Sequence, residues 1–200
     1  MMYGSMSREC EVVLRVEDRV ESVADDVLVK RCVEGDRQSF RLLYRRHQPR
    51  VRQILYQLCD LTMLDDLTQE VFLRAWKGLA KFRQSSRFST WLYRIAWNVA
   101  SDRRQTLAQD RSRLQTLAQS VATQHDDPDI MQLHYQDLVR KGLSCLSEEH
   151  RAVLVLHDLE ELPQKEVAEI LEIPVGTVKS RLFHARSGMR KFLEESGVQI

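Results

Sequence analysis

From Asp25 onward the apolar residues recur every three or four positions, the period of helices packed through one face. Val27, Leu28, Cys32 and Val33 predict a first helix that stops at Gly35. Asp36 has the right side chain to N-cap a second helix, with Phe40, Leu43 and Tyr44 inside. Further helices are predicted through Val51, Ile54, Leu55 and Leu58, then over Asp65–Leu79, then from Ser89 to about Arg104. Residues 105–129 change character: they are rich in Gln, Ala, Ser, Thr and Asp, lack a strong apolar face and contain an HDDPD run. That composition predicts a flexible linker with some helix at its start. The helical pattern returns at Ile130, and Ser147 followed by Glu148 and Glu149 is a helix N-terminus. Residues 1–24 carry many charges and little periodicity, and EVVLRV fits a short strand as well as a tail. The expected fold is all-α, with an N-terminal extension 1–24, a helical domain 25–104, a linker 105–129 and a second helical domain 130–200.

The C-terminal part of this pattern is the most specific. Val167, Ala168 and Leu171 make one apolar stripe, and small Ala168 lets a second helix cross closely. After Glu172-Ile173-Pro174, the residues Val178, Leu182, Ala185 and Met189 make the stripe that packs back. The layout predicts a helix-turn-helix at about 164–183, whose second helix enters a major groove and touches base edges. Away from the buried stripe lie Thr177, Lys179, Ser180, Phe183, His184, Ser187 and Arg190. Lys179 and Ser180 come early on the exposed face, and Lys179 can donate to guanine. Arg181 and Arg186 flank the stripe and suit phosphates, which add affinity without sequence information. An ordinary helical hairpin with a solvated face is the competing reading of these residues.

Two earlier segments are unusual in composition. In DDLTQEVFLRAWKGL (Asp65–Leu79), Leu67, Val71, Ala75 and Leu79 form a core stripe, while Asp66, Gln69, Glu70, Leu73 and Lys77 lie largely on other faces. An acidic, amide-rich face repels DNA and suits a basic protein surface, although a merely solvated face has the same composition. In FRQSSRFSTWLYRIAWNVASDRR (Phe82–Arg104) a polar loop from Arg83 to Ser89 is flanked by Phe82, Phe88 and Trp91. A helix with Tyr93, Arg94, Trp97, Asn98, Arg103 and Arg104 follows. Aromatics interleaved with arginines and an asparagine suit single-stranded nucleic acid, whose unstacked bases need apolar walls and whose phosphates need guanidinium groups. Trp91, Leu92, Ile95 and Ala96 also read as plain core, which leaves Asn98 and the serine loop, with Ser85 and Ser86, as the better base contacts.

Composition narrows the class. The chain has 200 residues, 30% of them charged, and a formal net charge of only +1. A protein held to DNA by phosphate contacts alone is usually more basic, so the basic residues are segregated by face or a second partner shares the work. Cys10, Cys32, Cys59 and Cys145 lie far apart without a CxxC pair, which argues against a disulfide framework or structural zinc and for reduced, mostly buried thiols. With no long apolar run and no apolar signal core, the expectation is a cytoplasmic protein without membrane insertion.

The order of motifs resembles the extracytoplasmic-function (ECF) sigma factors of the sigma-70 family, the two-domain sigma subunits of bacterial RNA polymerase. The resemblance rests on DDLTQEVFLRAW, then RFSTWLYRIAWNVASDRR, then an acidic linker, then LPQKEVAEILEIPVGTVKSRLFHAR, and covers about Asp25 to Leu193. It implies region 2 at 25–104, binding core polymerase and the minus-ten element, and region 4 at 130–200, binding the minus-thirty-five element. Asp66–Leu79 matches the helix that docks on the clamp helices of the largest polymerase subunit, and Asp65, Asp66, Gln69, Glu70 and Arg74 are its implied contacts. Phe82–Ser89, including Arg83, Ser85 and Ser86, matches the loop that captures a base flipped from the non-template strand. Asn98 matches a base-reading residue, and Arg103 and Arg104 fall where the family holds backbone. Thr177, Lys179, Ser180, Arg181, Phe183, His184 and Arg186 form the implied minus-thirty-five set. The implied partners are the beta and beta′ subunits of the polymerase core, promoter DNA and an anti-sigma factor, with no cofactor, metal or catalytic residue. Four residues depart from the pattern. Pro163 stands where Ser or Thr often caps, Glu172 replaces a common turn glycine, His184 replaces a frequent arginine, and Asp102 puts the wrong sign toward DNA.

Two other classes compete. A LuxR-type regulator would share the TVKSRL helix but needs an α/β receiver or ligand domain ahead of it, where 25–104 reads as helices. A metal-dependent hydrolase would rest on His125, Asp126, Asp127 and Asp129, which read more simply as a solvated acidic linker turning at Asp127-Pro128. No Gly-rich phosphate loop, GxSxG elbow or Cys/His dyad accompanies them.

Overall fold

The computed structural model describes residues 23–59, 63–83, 85–114 and 130–198, with side chains at all of these except 108–114 and 130–136. Among the described residues the regular structure is helical: α1 (Asp25–Val33), α2 (Arg37–Leu58), α3 (Leu64–Gly78), α4 (Phe88–Leu114), α5 (Ile130–Cys145), α6 (Glu148–Leu154), α7 (Gln164–Leu171) and α8 (Val175–Glu195). A 3-10 turn, Leu79–Lys81, follows α3, and a π-helical turn, Val155–Leu159, extends α6. The all-α expectation holds. The HDDPD run and residues 1–22 lie outside the described residues.

Helices α1 to α4 pack around Leu28, Leu43, Val51, Ile54, Leu55, Val71, Leu92 and Ala96, all fully buried. Asp36 caps α2 by accepting from the Gln38 amide at 2.8 Å and the Ser39 hydroxyl at 2.7 Å. Three details depart from the sequence pattern. The buried stripe of α1 is Leu28, Val29 and Cys32, whereas Val27 and Val33 are 36% and 55% exposed. At about 100° per residue, 28, 32 and 29 fall within one arc of about 100°, and Val27 lies outside it. The segments on either side of Pro49 form one helix. Pro49 and Arg45 are both exposed, so water can satisfy the Arg45 carbonyl that Pro49 leaves without a donor. Finally, α4 runs to Leu114, ten residues into the expected linker, through Gln, Leu, Ala and Arg with no Gly or Pro to stop it.

Helices α5 to α8 bury Val153, Leu156, Val167, Ile170, Val178, Leu182 and Ala185. Ser147 caps α6 by accepting from the His150 amide. Helices α5 and α8 cross at Gly142, where an added Cβ would sit 2.5 Å from Met189 Sδ and 2.9 Å from Phe192 Cδ1. Pro163 makes no side-chain cap for α7. At the turn between α7 and α8, Glu172 takes the left-handed conformation (φ 55°), which costs a non-glycine residue about 1–2 kcal/mol. Glu161, after the π-helical turn, is held the same way at φ 54°. The buried apolar residues of both halves form one connected cluster, and α4 packs on α7.

Candidate nucleic-acid and polymerase interface

Three surfaces carry the candidate residues. The first is the outer face of α3. Its inner face is sealed by Leu67, Val71, Phe72 and Ala75, so Asp66, Gln69, Glu70, Leu73 and Lys77 share the opposite stripe. Asp65 pairs with Arg52, and Glu70 accepts from Arg74 Nε at 2.8 Å. Arg74 also donates to Asp102 at 2.8 Å, so the carboxylate expected to oppose DNA is spent on this helix. Leu73 and Trp76 are 51% and 39% exposed beside these acids. An acidic stripe with exposed apolar side chains fits a protein surface better than solvent alone. Trp76 does not stand out in the residue pattern, because periodicity alone does not separate an outward tryptophan from a core one. It is held outward by an edge contact with Phe40 at 4.8 Å.

The second surface is the 82–89 loop and the front of α4. Phe82 stacks on Trp91 (4.8 Å between centroids, 28° between planes), and Phe88 meets both rings at 6.2 and 5.8 Å. Phe88 is buried, so the three rings form a fixed wall rather than separate probes. Arg83, Ser85 and Arg87 are exposed at its rim, with Ser86 half-buried. Asn98 is exposed one turn beyond Arg94, whereas Arg103 is half-buried. Arg104 is half-buried as well. It lies over the Trp97 ring at 5.1 Å, donates to the Leu58 carbonyl at 2.9 Å and to Glu148 at 2.6 Å.

The third surface is the first half of α8. Val178 and Leu182 are buried against α7, which turns Lys179, Ser180, Phe183 and His184 outward. Phe183 is 71% exposed, with its ring edge toward His184 at 5.4 Å. Thr177 is half-buried, and Ser180 donates its hydroxyl to the Thr177 carbonyl at 3.0 Å. Arg181 pairs with Glu149 at 2.8 Å, and Arg186 donates twice to Asp158, at 2.8 and 2.6 Å. Both arginines therefore sit beside the exposed face of α8 with their charge partly balanced.

Of the cysteines expected to be mostly buried, Cys32 is buried, Cys59 half-buried and Cys145 exposed at the end of α5. No helix among the described residues is long and apolar enough to cross a membrane.

This arrangement, a four-helix unit with an acidic outer stripe and an aromatic-walled loop followed by a helix-turn-helix unit, is the layout of a sigma-70 subunit. Residues 43–109 match Sigma-70 region 2, and residues 136–188 match Sigma-70, region 4. The ECF RNA polymerase sigma-E factor of Haemophilus influenzae is 31% identical over 176 residues, 83% of this chain and 93% of that one. The sigma-E factor of Escherichia coli K12 is 32% identical over 181 residues, 84% of this chain and 94% of that one. CnrH, solved in complex with the cytosolic domain of CnrY, superposes with a TM-score of 0.67 at 25% identity, covering 86% of this chain and 99% of CnrH. The sigma factor RpoE of Bartonella quintana, solved with the anti-sigma factor NepR, shares the fold at a TM-score of 0.57 and 24% identity, over 78% of this chain and 98% of that one. The chain belongs to the extracytoplasmic-function family of RNA polymerase sigma factors, a family of transcription initiation factors. Neither the LuxR-type reading nor the metal-hydrolase reading is favoured by these relationships.

Proposed function

We propose that the three surfaces divide the work of promoter recognition. The observation that carries the reading is α8, which buries Val178 and Leu182 while presenting Lys179, Phe183 and His184 to solvent. Such a face has donors for guanine and a ring for a thymine methyl, the chemistry of major-groove readout. Arg181 and Arg186 are its phosphate anchors, and Thr177 supports the start of the helix.

Region 2, taken as 25–104 with the α4 extension, docks core polymerase through Asp65, Asp66, Gln69, Glu70 and Arg74 on α3. Leu73 and Trp76 supply apolar contact between these polar groups. The wall of Phe82, Phe88 and Trp91 with Arg83, Ser85 and Ser86 at its rim receives an extruded base, and Asn98 reads a neighbour. Arg103 and Arg104 hold backbone. Region 4, taken as 130–200, reads the upstream duplex element. The net charge of +1 leaves too few phosphate contacts for tight binding alone, so promoter affinity comes with the beta and beta′ subunits of core. An anti-sigma partner is part of this reading, because the similarly folded RpoE of Bartonella quintana was captured with the anti-sigma factor NepR. The chain acts in the cytoplasm by binding, without catalysis of its own.

Run-off transcription with core polymerase and a promoter library tests the reading. Transcription from a shared pair of upstream and downstream elements is expected only when the chain is added. Core transcribing the same templates equally without it refutes the assignment.

A further inference from the structure

Helix α2 carries six arginines and no carboxylate. Three of them are engaged: Arg46 with Asp25, Arg50 with Glu160 and Arg52 with Asp65. The other three, Arg37, Arg41 and Arg45, are exposed and make no hydrogen bond or ion pair among the described residues. They stand four residues apart, so at about 100° per residue they fall within an arc of about 80° and form a row about 12 Å long. Gln48 and Arg52 lie in the same arc, whereas the buried Leu43, His47, Val51 and Ile54 lie outside it.

The row works against the fold. Like charges one helical turn apart repel, and Arg37 stands in the first turn, where the helix dipole also disfavours a cation. No described residue offsets this, so the three guanidinium groups are set for a partner outside the chain. In a chain of net charge +1 they are a segregated basic face. That face runs beside the acidic stripe of α3, because Phe40 meets Trp76 at 4.8 Å and Tyr44 meets Phe72 at 4.6 Å between ring centroids. Neighbouring helices therefore present opposite signs. A protein interface centres on apolar and aromatic side chains, and a single strand stacks its bases on rings. The row offers neither, since Phe40 and Tyr44 are turned onto α3. Evenly spaced cations on a rigid helix fit the evenly spaced phosphates of a duplex.

We propose that Arg37, Arg41 and Arg45 grip the phosphate backbone of duplex DNA beside the opened segment of the promoter. The contact adds affinity without reading sequence, and it lies outside the three surfaces described above. It gives the two helices different partners, a basic protein surface for α3 and DNA for α2. The α3 half rests on the docking reading given above, whereas the α2 half stands without it.

The test uses holoenzyme assembled from core polymerase and the full chain. Arg37→Gln, Arg41→Gln and Arg45→Gln are combined in one variant, and the same three positions are changed to Lys in another. Fluorescence anisotropy of a labelled promoter duplex is followed from about 50 to 200 mM salt. Each neutralised phosphate contributes about 0.9 to the slope of log affinity against log salt, so the glutamine variant should lose about 2–3 from that slope and bind about tenfold more weakly or worse near 100 mM. The loss should be equal on a duplex with an altered minus-thirty-five element, because phosphates carry no sequence. The lysine variant should keep the parent slope, since a phosphate accepts from either cation. Pull-down of core and binding of a labelled single strand with a minus-ten sequence should match the parent. Glutamine removes the repulsion along α2, so the variant should also melt no lower. If it fails to fold, Arg41→Gln alone carries the test, with an expected loss of about one ion. An unchanged slope overturns the proposal, and so does a slope lost equally with lysine, which would make shape and not charge the cause. Weaker core pull-down would give the row to an acidic protein surface, and an equal loss on the single strand would give it to that strand; either result overturns the duplex contact. Failure of the α3 docking reading is seen separately, as core pull-down indifferent to changes on α3.

Discussion

Leu182 and Phe183 are neighbours on α8 with opposite burial, 2% and 71% exposed, and this separates folding from reading. Replacing Leu182 by Ala empties a filled position between α7 and α8 and should cost about 2–5 kcal/mol. Replacing Phe183 by Ala removes a ring of which less than a third is covered. Full burial of such a ring stabilises by about 1.5–3 kcal/mol, so the loss should stay below about 1 kcal/mol. In a small helical domain 1 kcal/mol moves the melting temperature by about 4–8 °C. Leu182→Ala should therefore lower it by about 8 °C or more, and Phe183→Ala by a few degrees at most. The DNA readout should run the other way. A wrong base pair usually costs about 1–3 kcal/mol, so losing the ring should relax preference for one thymine of the upstream element by about fivefold or more. Calorimetry on the free chain and selection from a randomised upstream element with the holoenzyme measure the two effects. If Phe183→Ala melts as low as Leu182→Ala, or leaves the selected sequence unchanged, α8 does not present Phe183 to DNA.

Four further outcomes are expected. Asp66→Lys with Glu70→Lys should abolish pull-down by core polymerase while melting shifts little, because both side chains lie on the outer face of α3 and Arg74 keeps Asp102; unchanged pull-down refutes the docking stripe. Asn98→Ala should reduce permanganate-reactive thymines in open complexes more than closed-complex binding, and equal loss would give Asn98 a structural role. Lys179→Ala should relax base preference at one or two adjacent positions, whereas Arg186→Ala should weaken all promoters alike and reduce the salt slope by roughly one ion; the reverse pattern in selected sequences exchanges reader and anchor. Burial raises the Asp25 carboxyl, but hydrogen bonds and charge from His47 and Arg46 outweigh it and leave the group below its ordinary 3.8. Its stabilisation is thus present above 3.8 and lost as pH falls through the depressed value, so Asp25→Asn should lower the melting temperature at about pH 7 and by progressively less as pH falls below 3.8; a deficit that does not shrink with falling pH refutes the ion pairing.

The legible parts of the fold were those governed by local chemistry. The Asp36 and Ser147 caps act within three residues, and the apolar stripe of α8 repeats without interruption. In α1 the register failed because a nine-residue helix with five apolar positions offers more than one stripe, and only the neighbouring helices choose. The two helices expected on either side of Pro49 are one, because its exposed position lets water serve the carbonyl it leaves without a donor. The seam between the domains was invisible for a different reason. Arg50 and Glu160 are 110 residues apart, and no periodicity links an arginine to a glutamate at that distance. Glu172 was the one legible trace, an unexpected residue at a glycine-like turn whose carboxylate proves to be engaged with Arg94.

The crossing of α5 and α8 at Gly142 makes α8 a lever. The helix is one uninterrupted rod from Val175 to Glu195, gripped at Met189 and Phe192 and carrying its outward side chains near Ser180. Nine residues at 1.5 Å each place those side chains about 13 Å from the grip. A tilt of about 5° at the crossing would sweep them through about 1.2 Å, which is enough to make or break a hydrogen bond to a base. The closeness that glycine permits at the fulcrum thus sets the aim of residues two and a half turns away, none of which Gly142 touches.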